Sequence, residues 1–215
     1  MKNILLLFVF ALFVTQTQAQ KYNEKFIKAM EKALTGLDSI KTAEQWQERS
    51  NNFERIAQKE KGEWLPAYYV AFSQIMVFNM EKDQAKYEPI INKVDKFVAL
   101  ADSINPNNSE IWVLMNMAAT LHVRQNPMVN GQKFGPLAGM ALEKAKKLDP
   151  ENPRIYMQEG LSLLFTPPQW GGDKVKAGII LEKAIEKFKA FKPATNVHPN
   201  WGLEATEMFL EMAKK

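Results

Sequence analysis

The sequence contains no cysteine. Disulfides, thiolate metal sites and a cysteine nucleophile are therefore excluded, and stability has to come from packing. Histidine is almost as scarce. His122 and His198 are the two present, and neither belongs to an HExxH pair. His122 stands in an apolar run with Ala118, Ala119, Leu121 and Val123, which reads as a packed side chain. His198 precedes Pro199 in a loop, where helix capping is its expected use. GxSxG, P-loop and dinucleotide fingerprints are missing, as is any pair of carboxylates set in a motif. Gly171-Gly172-Asp173 opens a helix, but the Asp173 carboxylate occupies the end that an anion would take. No nucleophile–base arrangement remains, so neither enzymatic activity nor a metal or cofactor is expected. Charge of one sign is also lacking. The formal net charge is +4, with acidic and basic residues interleaved as in Glu143-Lys144 and Glu182-Lys183. That pattern is solvated helix surface and excludes a nucleic-acid footprint. No segment alternates as a strand does.

One long apolar run exists, Ile4 to Val14, preceded by Lys2 and followed by Thr17 and Ala19 at the small positions of a signal-peptidase site. The run is too short for a spanning helix, which needs about 20 apolar residues. Residues 1–19 are expected to be a cleaved signal peptide, leaving residues 20–215 as one helical domain in the periplasm or outside the cell. Once the signal is cleaved, the protein is not expected to be integral to a membrane.

What the chain does have is an internal repeat. AGMALEKA at Ala138–Ala145 returns as AGIILEKA at Ala177–Ala184. Ala138, Leu142 and Ala145, like Ala177, Leu181 and Ala184, share one helix face. Independently, SINPNNSEIW (Ser103–Trp112) overlays KLDPENPRIY (Lys147–Tyr156). In both, a proline stops one helix and Asn108 or Asn152 caps the next. Tyr69, Trp112, Tyr156 and Trp201 are then 43, 44 and 45 residues apart, a period that belongs to stacked helix pairs. Helices are expected near 23–37, 43–59, 66–80, 87–104, 109–124, 135–148, 153–165, 174–191 and 200–213. Thr42 with Gln45 fits a capping box, and Asp173 a cap.

The order Ala138, Leu142, Ala145, Pro150, with Gly160 four residues after Tyr156, resembles the tetratricopeptide repeat. Ser73 and Asn116 depart from it at the position Gly160 holds, and the period is longer than that family's 34. The resemblance implies an all-α, right-handed stack of antiparallel helix pairs, an α-solenoid. The extra length is placed in elongated loops within the pairs, Gln125–Phe134 and Thr166–Gly172. It also resembles exported bacterial proteins of this type, which implies a binding scaffold.

Two functions follow. The first is a non-enzymatic scaffold holding a protein or peptide partner. The second is a periplasmic small-molecule binder serving a transporter, its ligand small and apolar under the long loops. The expected contacts are Trp112, Tyr156, Trp170, Trp201, Arg124 and Arg154, with Asn126 and Lys174 near the loops. Stacking of the same aromatics in the core is the competing reading. Thr166-Pro167-Pro168 and Gly171-Gly172 account for a reversal of the chain, but a turn does not need the Trp170 indole. It is expected to fold back as a plug.

Overall fold

The computed structural model describes residues 23–215. The expected signal peptide, residues 1–19, lies outside them. Among the described residues there are nine α-helices and no strand: α1 (Glu24–Leu34), α2 (Ala43–Lys59), α3 (Trp64–Met80), α4 (Tyr87–Ile104), α5 (Ser109–Gln125), α6 (Pro127–Leu148), α7 (Pro153–Phe165), α8 (Lys174–Ala190) and α9 (Leu203–Ala213).

The caps follow the local sequence. Thr42 and Gln45 form the reciprocal capping box of α2. Asn108, Asn152 and Asp173 each accept a backbone N–H from the first turn of α5, α7 and α8.

α1 ends at Leu34 and not 37, and α3 starts at Trp64 and not 66; two further boundaries differ from expectation. Gln125–Phe134 is not a loop. Asn126 ends α5 and at once caps α6 by accepting from the Val129 N–H, with Pro127 preset for the first helical position. Asn130 then donates to the His122 carbonyl, and Phe134 stacks on His122 at 3.9 Å. These contacts carry the helix through Gly131, Gly135 and Pro136. Much of the long period is therefore helix. The second difference is at the C-terminus, where α9 begins at Leu203 and not Asn200. Gly202 has φ 119°, and a Cβ there would meet Phe188 Cζ at 2.5 Å, so the chain turns sharply before α9 starts.

α3 is apolar all round and buried along nearly its whole length, as expected of a central helix. It packs against α2, α4 and α5. Phe53 stacks on Tyr69, and Trp46 meets Phe72 edge-on. Successive helices pack on one another, and α3, α5, α7 and α9 also touch in that order. Gly160 lets α8 approach α7, since a Cβ there would sit 2.7 Å from Leu181 Cδ2. The segment from Phe191 to Gly202 runs back across these odd-numbered helices. Phe191 lies on Arg154 of α7 and Trp201 stacks on Phe72 of α3. His198 meets Trp64 edge-on, Val197 is fully buried, and Asn196 donates to Glu31 of α1. No described helix is long and apolar enough to cross a membrane.

Candidate functional site

The overlay of the two repeat segments puts Glu110 and Arg154 at equivalent positions, and the fold brings them together. Arg154 Nη1 donates to Glu110 Oε1 at 2.9 Å, with no part of the arginine exposed. The same oxygen accepts from Asn152 Nδ2. Trp201 Nε1 donates to the Tyr68 hydroxyl, which faces Glu110 Oε2 at 3.4 Å. The remaining guanidinium nitrogens, Nε and Nη2, have no hydrogen-bond acceptor and lie among the Phe188, Phe191 and Trp201 rings. Burial pushes the Glu110 carboxyl above the usual carboxylate range, against the pull of Arg154. It pushes the Tyr68 hydroxyl well up too.

This network decides several of the expected contacts. Arg154 is an interior member of it and presents nothing to a groove, while Trp201 is half-buried, its indole N–H given to Tyr68 and its ring stacked on Phe72. Tyr156 is buried, its hydroxyl donating to the Pro150 carbonyl. Trp112 is half-buried with an enclosed indole N–H. Arg124 is held by Asn79 and lies over Phe78, and Asn126 is spent as a cap. Lys174 is exposed on the first turn of α8. Trp170 is the exception. Its side chain is 62% exposed, so it does not plug the pair. The turn closes through its own backbone: Trp170 and Gly172 N–H both donate to the Pro167 carbonyl, and Asp173 N–H to that of Leu163. A Cβ on Gly172 would collide with the Thr166 carbonyl oxygen. Nothing in that closure requires an indole.

His122 Nε2 lies 2.8 Å from Asp95 Oδ2, a carboxylate 44% exposed rather than buried. His198 pairs with Thr195 in its loop, and burial holds its pKa below the ordinary 6.5.

An open groove lies elsewhere, between α6 and the α7–α8 pair. α6 packs along α5 and makes only sparse contact with α7, whereas α7 and α8 are pressed together. The gap is lined by Gly139, Leu142 and Glu143 of α6, Glu159, Ser162 and Leu163 of α7, and Ile180 of α8. Its volume is about 340 Å³. Gly131, Gly135 and Gly139 recur every four residues on α6, and a Cβ at any of them would meet nothing within 4 Å. Met128, Val129 and Met140 stand exposed on the same helix. Of these α6 residues only Gly139 belongs to the lining, so the trough is apolar along Leu142, Leu163 and Ile180, open at Gly139, and carries Glu143, Glu159 and Ser162 as its polar groups. It has no histidine or tyrosine in its lining, so it offers face contact to an apolar ring and no nitrogen ligand to a metal. A larger hollow of about 650 Å³ lies between α1 and α2. Its walls mix the charged Lys32, Arg49, Arg55, Lys59, Glu48 and Glu60 with the apolar Ala29, Ala33, Ile40 and Ile56.

The groove was not legible as a site in the sequence. Its one signal was the glycine spacing, and the first of the three glycines, Gly131, fell in a stretch that reads as loop.

Among solved structures the chain is similar to the HusA haemophore from Porphyromonas gingivalis. The TM-score is 0.77 with 29% identity, over 88% of this chain and 92% of that one. A scan of protein-family models and a search of curated proteins both give no match.

Proposed function

We propose that the protein is an exported, non-enzymatic carrier of a planar, amphipathic ligand of the porphyrin class, held in the α6–α7–α8 groove. The likeness to a haemophore over nearly the whole of both chains carries this reading. The apolar residues Leu142, Leu163 and Ile180 and the open position at Gly139 support it, because a glycine lets a flat ring approach the helix backbone closely. Haem would be cargo, gripped by its ring and edges.

The same reading takes the helices as a right-handed, tetratricopeptide-type stack. Successive contact of α3, α5, α7 and α9 supports it, as does the pairing of the repeat-equivalent Glu110 and Arg154. A peptide partner on the odd-numbered helices is less well supported. It would have to displace Val197 and Trp201, which already cover them.

The test is to titrate the mature protein with protoporphyrin IX and with its iron complex, following the porphyrin absorption band and tryptophan quenching. Saturable shifts with both compounds are expected, reduced in Gly139→Trp at unchanged helicity. A non-saturating response in the unmodified protein, equal to that of an unrelated helical protein, overturns the proposal.

A further inference from the structure

The groove has two unlike ends. Moving one turn from Leu142 on α6 reaches Lys146, and one turn from Ile180 on α8 reaches Lys183 and then Lys187. On the antiparallel α7, the same direction leads from Glu159 to Tyr156. These residues meet. Lys183 Nζ stands 4.5 Å from the centre of the Tyr156 ring, Lys187 Nζ 5.0 Å and Lys146 Nζ 5.2 Å. The preceding repeat gives a measure of what packing alone requires. There Lys144, the repeat equivalent of Lys183, lies 6.0 Å from the ring of Trp112, the equivalent of Tyr156. It is one lysine against three.

The three ammonium groups face two carboxylates. Lys146 pairs with Glu159 at 3.1 Å and Lys187 with Glu151 at 2.8 Å. Lys183 has no carboxylate partner among the described residues. Glu151 is 79% exposed, so its hold on Lys187 is weak and readily exchanged. Glu143 and Glu159 meanwhile line the trough itself, Glu159 with its charge met by Lys146. A carboxylate there would be repelled, and one at the Tyr156 end would be attracted.

We propose that Lys146, Lys183 and Lys187, gathered round Tyr156, bind the carboxylate groups of the groove's ligand and so set its orientation. This rests on the groove reading above. The ring enters along Gly139, and the carboxylates project to the lysine end, leaving the opposite edge toward the turn that carries Trp170.

The experiment compares protoporphyrin IX with its dimethyl ester, which keeps the ring and removes both charges. Both are titrated into the mature protein, the Lys183→Ala/Lys187→Ala double variant and the Lys183→Arg variant, at low and high salt. Circular dichroism checks each fold. The double variant is expected to bind the diacid about tenfold more weakly, the sum of two exposed ion pairs. Salt should reproduce part of that loss, Lys183→Arg should bind as the unmodified protein does, and the ester should be indifferent to every change. Equal binding of diacid and ester, with the double variant unaltered, overturns the carboxylate assignment and leaves the groove reading standing. Loss of diacid and ester in the same proportion also overturns it, since the lysines would then act on the ring or the fold. If the unmodified protein binds neither compound, both proposals fall together.

Discussion

Two glycines 21 residues apart test the account of the groove by opposite responses to one substitution. Gly139 sits inside α6, where glycine costs a helix about 1 kcal/mol relative to alanine. A Cβ there meets nothing within 4 Å. Gly139→Ala should therefore stabilise the protein by about 1 kcal/mol, or roughly 2–4 °C in Tm for a chain of this size. Gly160 sits inside α7 with the same propensity cost. A Cβ there would lie 2.7 Å from both Cγ and Cδ2 of Leu181, on the tightly packed α7–α8 face. Overpacking typically costs about 1–3 kcal/mol, which offsets or exceeds the helical gain. Gly160→Ala should thus be neutral to destabilising by about 2 kcal/mol. Calorimetry or urea melts of the two variants side by side provide the assay. Stabilisation at 160 with destabilisation at 139 would refute the reasoning, because the open position at Gly139 would then be covered. Binding adds a second reading. If ring contact is what Gly139 serves, Gly139→Ala should melt higher yet hold protoporphyrin IX less tightly.

Trp170→Ala should leave the Tm within the roughly 1–2 °C expected of a surface change, since the ring is exposed and the turn closes through its backbone. A loss as large as that of a core tryptophan would restore the plug. Arg154→Met leaves Glu110 buried with its guanidinium partner gone, at a cost of about 3–5 kcal/mol, whereas Arg154→Met/Glu110→Gln should recover much of it. A double-mutant cycle by urea denaturation measures the difference, and strict additivity would contradict the pairing. Burial depresses the His198 pKa, so the neutral ring is the form the fold prefers. Its contribution is therefore complete above the unfolded value near 6.5 and is lost as pH falls through the lower folded value. Tm should drop from pH 7.5 to 5.5 in the unmodified protein and drop less in His198→Asn. Parallel profiles would exclude the effect.

The helical class and most boundaries were open to local reading because their causes are local. Thr42, Asn108, Asn152 and Asp173 cap the helices that follow them, and each bond closes within three residues. Only the first two turns of α6, residues 127–134, escaped that reading, because they hold Pro127 and Gly131 and run up to Gly135 and Pro136. Their cost is met by Asn126, by the bond from Asn130 to His122 and by the stacking of Phe134, contacts that involve the helix before it.

By itself, then, the sequence determined an all-helical chain with a repeated pair of helices, because periodicity, capping and proline stops act over a few residues. It also picked out the aromatic residues that matter to packing. Only the tertiary structure decided on which side each of them lies. Arg154 is interior and Trp201 half-buried because Glu110, 44 residues before one, and Tyr68, 133 residues before the other, come to meet them. Trp170 is outside because its turn satisfies itself. Beyond the glycine spacing on α6 the groove leaves no local pattern, since it arises where α6 parts from α7, and a gap between helices has no sequence of its own.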